Sequence, residues 1–179
     1  MTLLRLTTLV TLLAGMGAAR AEEIVVDFEQ AEIGKPVPTW TEKGVLFKLA
    51  GPLTQSKATG KIMFFPHLAT NHKGILNAMA TEQAIPVQAT FPGRVSAVTV
   101  VFWGSTGCPA LLEALDEKGA VIARASVAAV PGRKTPADPI PFLPLTVKAP
   151  AIAAIRFSGP RNGEFLAADE IRFTMADAQ

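Results

Sequence analysis

The chain has 179 residues, with 17 Lys or Arg against 15 Asp or Glu, a single Cys, two Trp and no Tyr. Hydrophobic residues make up 49% and charged ones 18%, which excludes global disorder. The lone cysteine excludes an internal disulfide, and the near-balance of charge excludes nucleic acid or an anionic membrane as the main partner, since both need concentrated positive charge.

In chain order, residues 1–21 read as a cleavable secretory signal peptide. Arg5 precedes the apolar run Leu9–Ala14, then small residues and the cleavage pattern Ala19-Arg20-Ala21. The stretch is too short and interrupted for a membrane anchor. The protein is therefore expected to be exported, periplasmic or extracellular, with residues 22–179 forming one domain without a transmembrane segment. Losing Arg5 and Arg20 leaves 15 basic and 15 acidic residues, a formally neutral mature chain.

Beyond residue 22, period-2 alternation and turn residues dominate. Strands are predicted near 23–28, 45–49, 61–65, 85–91, 95–103, 110–116, 120–128, 143–148, 151–157 and 165–174. Fourteen Gly and fourteen Pro punctuate them, the pattern of an all-β sandwich or barrel, and the fold expected is an antiparallel β-sandwich. Segment 108–119 holds strong helix formers with Gly119 at a plausible C-cap. The alternation of Val121, Ala123, Ala125 and Val127 against Ile122, Arg124 and Ser126 favours a hairpin turning at 116–119. The proline-rich stretch 130–144 reads as an exposed connection, because its prolines cannot sit in a central strand. Asn162-Gly163 tolerates the positive φ angles of a type I′ turn and predicts a tight hairpin of 151–158 with 164–173.

Two acidic stretches stand out, "IVVDFEQ" (24–30) and "FLAADEIRF" (165–173). Alternation puts Ile24, Val26 and Phe28 inward, leaving Asp27 and Glu29 outward. In the last strand Ile171 and Phe173 face the core, which places Asp169 on the same face. An ionised carboxylate there is costly unless a cation, donors or water meet it. If the first and last strands pair antiparallel, Glu29 and Asp169 approach at the sandwich rim. Their oxygens suit a hard cation such as Ca²⁺; the alternative is a solvated strand-end Asp169 accepting backbone N–H bonds.

The runs "VDFEQAEIGKPVP", "GVLFKL", "ATFPGRVSAVTVVFWG", "LLEALDEKGAVIA", "IAAIRFSG" and "GEFLAADEIRF" resemble galactose-binding-like jelly-roll sandwiches, including secreted bacterial carbohydrate-binding modules. The resemblance implies a structural calcium held by an acidic residue of the opening strand and another of the final strand. Carried over, these are Glu29 and Asp169, with Asp27 and Glu170 in reserve.

Sugar recognition needs aromatic faces and planar polar groups. Trp40, in the polar "PTWTEKG" stretch, is the expected exposed platform, whereas Trp103 ends an apolar strand and belongs in the core. The loop 64–74 supplies His67, Asn71, His72 and Lys73 as hydrogen-bonding residues; His67 and His72, five apart with no third ligand nearby, do not make a zinc site. Cys108 follows a small-residue turn that is neither a nucleophile elbow nor a phosphate loop, so no enzyme is expected. The sequence thus points to an exported, non-catalytic binding module for glycan or cell-envelope material. The alternative is a secreted protein-interaction or structural β-sandwich without sugar binding, docking another protein, such as one of the cell envelope, through a sheet face or the proline-rich stretch.

Overall fold

The computed structural model describes residues 22–50, 61–67, 70–77, 85–104, 107–135, 137–158 and 166–176. The signal peptide expected over 1–21 and the turn at Asn162-Gly163 lie outside them. The described residues form ten strands: β1 (Glu23–Val26), β2 (Thr39–Glu42), β3 (Val45–Leu49), β4 (Ile62–Pro66), β5 (Lys73–Asn77), β6 (Val87–Gly104), β7 (Ala110–Leu115), β8 (Val121–Val127), β9 (Leu143–Ser158) and β10 (Leu166–Met175). Every ladder is antiparallel. Among the described residues no helix is long and apolar enough to cross a membrane.

All ten strands belong to one hydrogen-bonded network, yet the network folds into two layers. Phe102 pairs with Leu143 at one end of the β6–β9 ladder and Phe157 pairs with Val87 at the other. A straight strand would separate Val87 from Phe102 by about 50 Å. The rings of Phe102 and Phe157 are nevertheless 5.7 Å apart, so β6 and β9 bend until their two halves face each other. The register shifts twice, between Thr90 and Val95 on β6 opposite Ile152–Ala154 of β9, and between Val95 and Ala97 opposite Lys148–Ile152, where Pro92-Gly93 and Pro150 interrupt regular pairing. The sequence pattern reads these prolines as strand ends; they mark corners within continuous strands.

One layer contains β4, β5, β10, the second half of β6 and the first half of β9, with β1 also on β10. The other contains β2, β3, the first half of β6, the second half of β9, β7 and β8. Their inner faces meet in one large core that takes in Val26, Phe28, Phe47, Phe91, Phe157, Ile171 and Phe173, with Ile24 partly buried at its margin. Phe28 lies between the layers, 5.2 Å from Phe47 on β3 and 5.8 Å from Phe64 on β4 by ring centroid. This is a β-sandwich.

The β7–β8 hairpin forms as alternation requires, with inward Ala123 and Ala125 and outward Arg124 and Ser126. Asp116 Oδ1 accepts from the N–H groups of Lys118 and Ala120 at 2.9 and 2.8 Å, and Gly119 takes φ +79°. Helix propensity loses here because β7 pairs on both edges, with β8 and β9.

Three expectations are overturned. β9 and β10 do not form a hairpin: β6 lies between them in the sheet order, so 159–165 links non-adjacent strands. An Asn-Gly pair permits a tight turn but cannot compel two strands to pair when each gains more from other partners. The proline-rich segment is not simply exposed either. Val130 is buried, and Ile140 packs on a second apolar cluster of Leu76, Trp103 and Ala167. Finally, Thr39–Glu42 and Lys73–Asn77, where no strand is predicted, are strands β2 and β5.

Candidate functional site

β1 and β5 occupy successive stretches of the same edge of β10. Val26 pairs with Ile171 as β1 ends, and Ile75, midway along β5, pairs with Ala168. Between them β10 carries a bulge: Ala168 opposes Phe102 and Glu170 opposes Val101 on β6, which makes Asp169 the extra residue. A cleft of about 400 Å³ opens at this gap, lined by Val25, Asp27, Glu29, Thr70, Asn71, His72, Asp169 and Glu170.

Each wall has a local cause. Phe28 takes φ 58°, a conformation rare for a bulky residue, and turns the chain off the β10 edge while its ring enters the core. Glu42 clamps this turn. Its Oε1 accepts from the N–H groups of Asp27 and Phe28 at 3.2 and 3.3 Å, and its Oε2 accepts from Trp40 Nε1 at 3.1 Å. Glu29 then reaches the opposite wall, where its Oε1 accepts from the Lys73 N–H at 3.2 Å and its carbonyl accepts from Lys73 Nζ.

The opposite wall is pinned by His67, only 1% exposed. Its Nε2 donates to the Ile140 carbonyl at 3.0 Å, which leaves Nδ1 to accept from the Thr70 N–H at 3.3 Å, with Thr70 Oγ1 at 3.1 Å. The imidazole stacks on Phe142 and meets Trp103 edge-on. Backbone bonds from His67 N–H to His72 O and from Asn71 N–H to His67 O close the turn, with Asn71 at φ 61°, where Asn is tolerated better than most residues.

Asp169 is the chemical centre of the cleft. It is 6% exposed, and its Oδ1 has no hydrogen-bond partner among the described residues. Its Oδ2 lies 3.7 Å from Nδ1 of the exposed His72. Burial pushes its pKa up to about 6; His72 and His67 oppose the rise, while Glu170 and Glu29 add to it. Glu170 instead has a bidentate partner in Arg172, at 2.9 and 2.8 Å.

Of the residues singled out from sequence, Glu29, Asn71, His72 and Asp169 meet in this cleft. Trp40 and His67 do not line it. Trp40 is no exposed platform: its ring packs edge-on against Phe64 at 5.1 Å and its N–H is committed to Glu42. His67 is a buried pin, because the aromatic surface around it leaves no approach for a ligand. Trp103 is buried, as its apolar setting implies, and so is Cys108. Sequence reasoning passed over Glu42 and Thr70; the only signal for Thr70 was the polar density of its loop, in which Lys73 was named.

A calcium ion needs about six to eight converging oxygens. Asp169 Oδ1 would suit one, but among the described residues no group of three His, Cys, Asp or Glu side chains is placed to hold a metal. Glu29 is also tied to Lys73 and Glu170 to Arg172. Among the described residues, the side chains as arranged do not fit the ion.

Fold and site thus define an antiparallel β-sandwich with an acidic cleft at a bulge in its last strand. No protein-family profile matches the chain, and no curated relative matches it. Similar solved structures include the K2 cleaved adhesin domain of Lys-gingipain, at 17% identity and TM-score 0.47 over 86% of this chain and 100% of that one. TmCBM61 in complex with β-1,4-galactotriose is similar at 14% identity and TM-score 0.39, over 83% and 94% of the two chains. At these values the similarity is one of fold alone.

Proposed function

We propose that the protein is an exported, non-catalytic binding module whose ligand is a glycan seated in the cleft at the β10 bulge. One observation carries the reading: a carboxylate buried at the cleft wall keeps an oxygen without a donor. Leaving such an acceptor unmade costs about 1–3 kcal/mol or more, and a ligand hydroxyl or amine that supplies the donor recovers it. Thr70, Asn71 and His72 add donors and acceptors beside it. The cleft volume falls in the range of small-ligand sites, about 300–1,000 Å³.

The protein-docking alternative finds less support. Exposed Ile33, Leu46, Ile122 and Phe142 sit on four separate parts of the fold, and the proline-rich segment packs on its own chain. A glycan-binding screen of the wild-type protein beside Asp169→Asn tests the proposal. The expected result is a sugar-dependent signal that the substitution weakens at least tenfold. A signal indifferent to Asp169, or none, rejects the cleft as the glycan site. Calcium stays outside this reading; a melting midpoint that rises with added Ca²⁺ and falls with EDTA would restore it, because an ion bound to the native state must stabilise it.

A further inference from the structure

We propose that the cleft selects a sugar bearing a free primary ammonium, with Asp169 as the buried acceptor of that group. The inference rests on the glycan reading above and narrows it to amino sugars without N-acetylation.

The charge inventory carries the argument. Four carboxylates line the cleft: Asp27, Glu29, Asp169 and Glu170. Arg172 takes both oxygens of Glu170, whereas the Glu29 carboxylate accepts only the backbone N–H of Lys73, whose Nζ bonds the Glu29 carbonyl instead. Asp27 and Asp169 have no Lys or Arg bonded to them among the described residues. The cleft therefore faces its ligand with negative charge that, apart from His72 at 3.7 Å from Asp169 Oδ2, has little basic counterpart among the described residues, and the most buried of these groups is the one whose Oδ1 lacks a donor.

A neutral sugar is a poorer match. Its apolar face needs an aromatic platform, and neither tryptophan reaches the cleft. A metal ion is a poorer match again, because among the described residues no three His, Cys, Asp or Glu side chains are placed to hold one. An ammonium is a compact charge with three donors that can be shared among separated acceptors. Its charge-assisted bonds to carboxylate are stronger than those of a hydroxyl. It also brings the counter-charge that a buried carboxylate requires. N-acetylation removes both the charge and two of the three donors.

The test compares glucosamine oligomers with N-acetylglucosamine oligomers of equal length by calorimetric titration of the full protein. The glucosamine oligomer is expected to bind at least tenfold tighter, and Asp169→Asn, which keeps the side-chain shape, is expected to abolish the preference. Asp27→Asn, at an exposed position, is expected to reduce it and guards against a folding defect at the bulge. Equal binding of the two oligomers overturns the ammonium inference while the glycan reading survives. Failure of both oligomers and of neutral glycans overturns both, and a lysine-rich peptide bound in place of either sugar overturns the amino-sugar assignment.

Discussion

Glu113 and Asp169 are buried alike, each 6% exposed on a strand, yet they meet opposite fates. Glu113 on β7 stands directly across from Arg124 on β8 and Arg156 on β9. Its Oε1 accepts from Arg124 Nε at 2.7 Å and its Oε2 from Arg156 Nε. Burial alone would raise its pKa, but the hydrogen bonds and charges of the two arginines outweigh that and hold it below the usual carboxylate range. Asp169 sits on a bulge at a gap between β1 and β5, where no strand presents an arginine, and burial raises its pKa to about 6. A carboxylate within a regular ladder finds partners through cross-strand register; one displaced by a bulge does not. The first arrangement is a finished structural device, and the second waits for a partner from solution.

The comparison can be broken most strongly from the cleft side. A Cβ on Gly74 would lie 2.9 Å from both Ala167 Cβ and Trp103 Nε1 and 3.2 Å from the Ala168 carbonyl. Gly74→Ala is therefore expected to displace β5 from β10, to cost about 3 kcal/mol in a denaturant melt, and to abolish ligand binding while leaving the Glu113 ladder intact. A smaller effect is expected from Arg156→Met, which gives Glu113 part of the predicament of Asp169. Breaking a buried pair costs about 3–5 kcal/mol, but Arg124 remains and is solvent-exposed, so a loss of about 2 kcal/mol is expected. The carboxyl of Glu113 should then titrate at higher pH than in the wild type, as carbon-detected NMR would show.

The smallest expected change has the opposite sign. An unfolded aspartate titrates near about 4, whereas Asp169 does so at about 6 in the folded protein. Between these values the native state holds a proton that the unfolded chain has released, so this residue lowers stability as pH rises from about 4 to 6 and by a constant amount above. Asp169→Asn should thus stabilise the protein by on the order of 1–2 kcal/mol at pH 7–8, with the difference vanishing below about pH 4. Glu113 has the opposite slope: its contribution is present above the unfolded pKa and is lost as acid protonates it. A wild-type pH–stability curve identical to that of Asp169→Asn would remove the contrast.

Much of the layered architecture was legible locally. Alternation in 45–49, 121–127 and 166–175 marks strands because a pleated strand exposes alternate residues to opposite sides, and the apolar set Val26, Phe47, Ile171 and Phe173 follows from it. The anomaly of Asp169 could be read in the same way, as a charge in an apolar period. The bulge was not legible, since it depends on how β10 registers with β6. Nor was the role of His67, whose polarity signals a ligand site until Phe142, from a segment 75 residues further along, stacks against it.

By itself the sequence determined which stretches are extended and which of their faces are apolar, because both follow from interactions between near neighbours. Only the tertiary structure decided that Pro92-Gly93 and Pro150 are corners, that β6 separates β9 from β10, and that Asp169 faces a gap rather than an arginine. Those outcomes come from competition among distant strands for the same edges and the same core. No single segment carries that information.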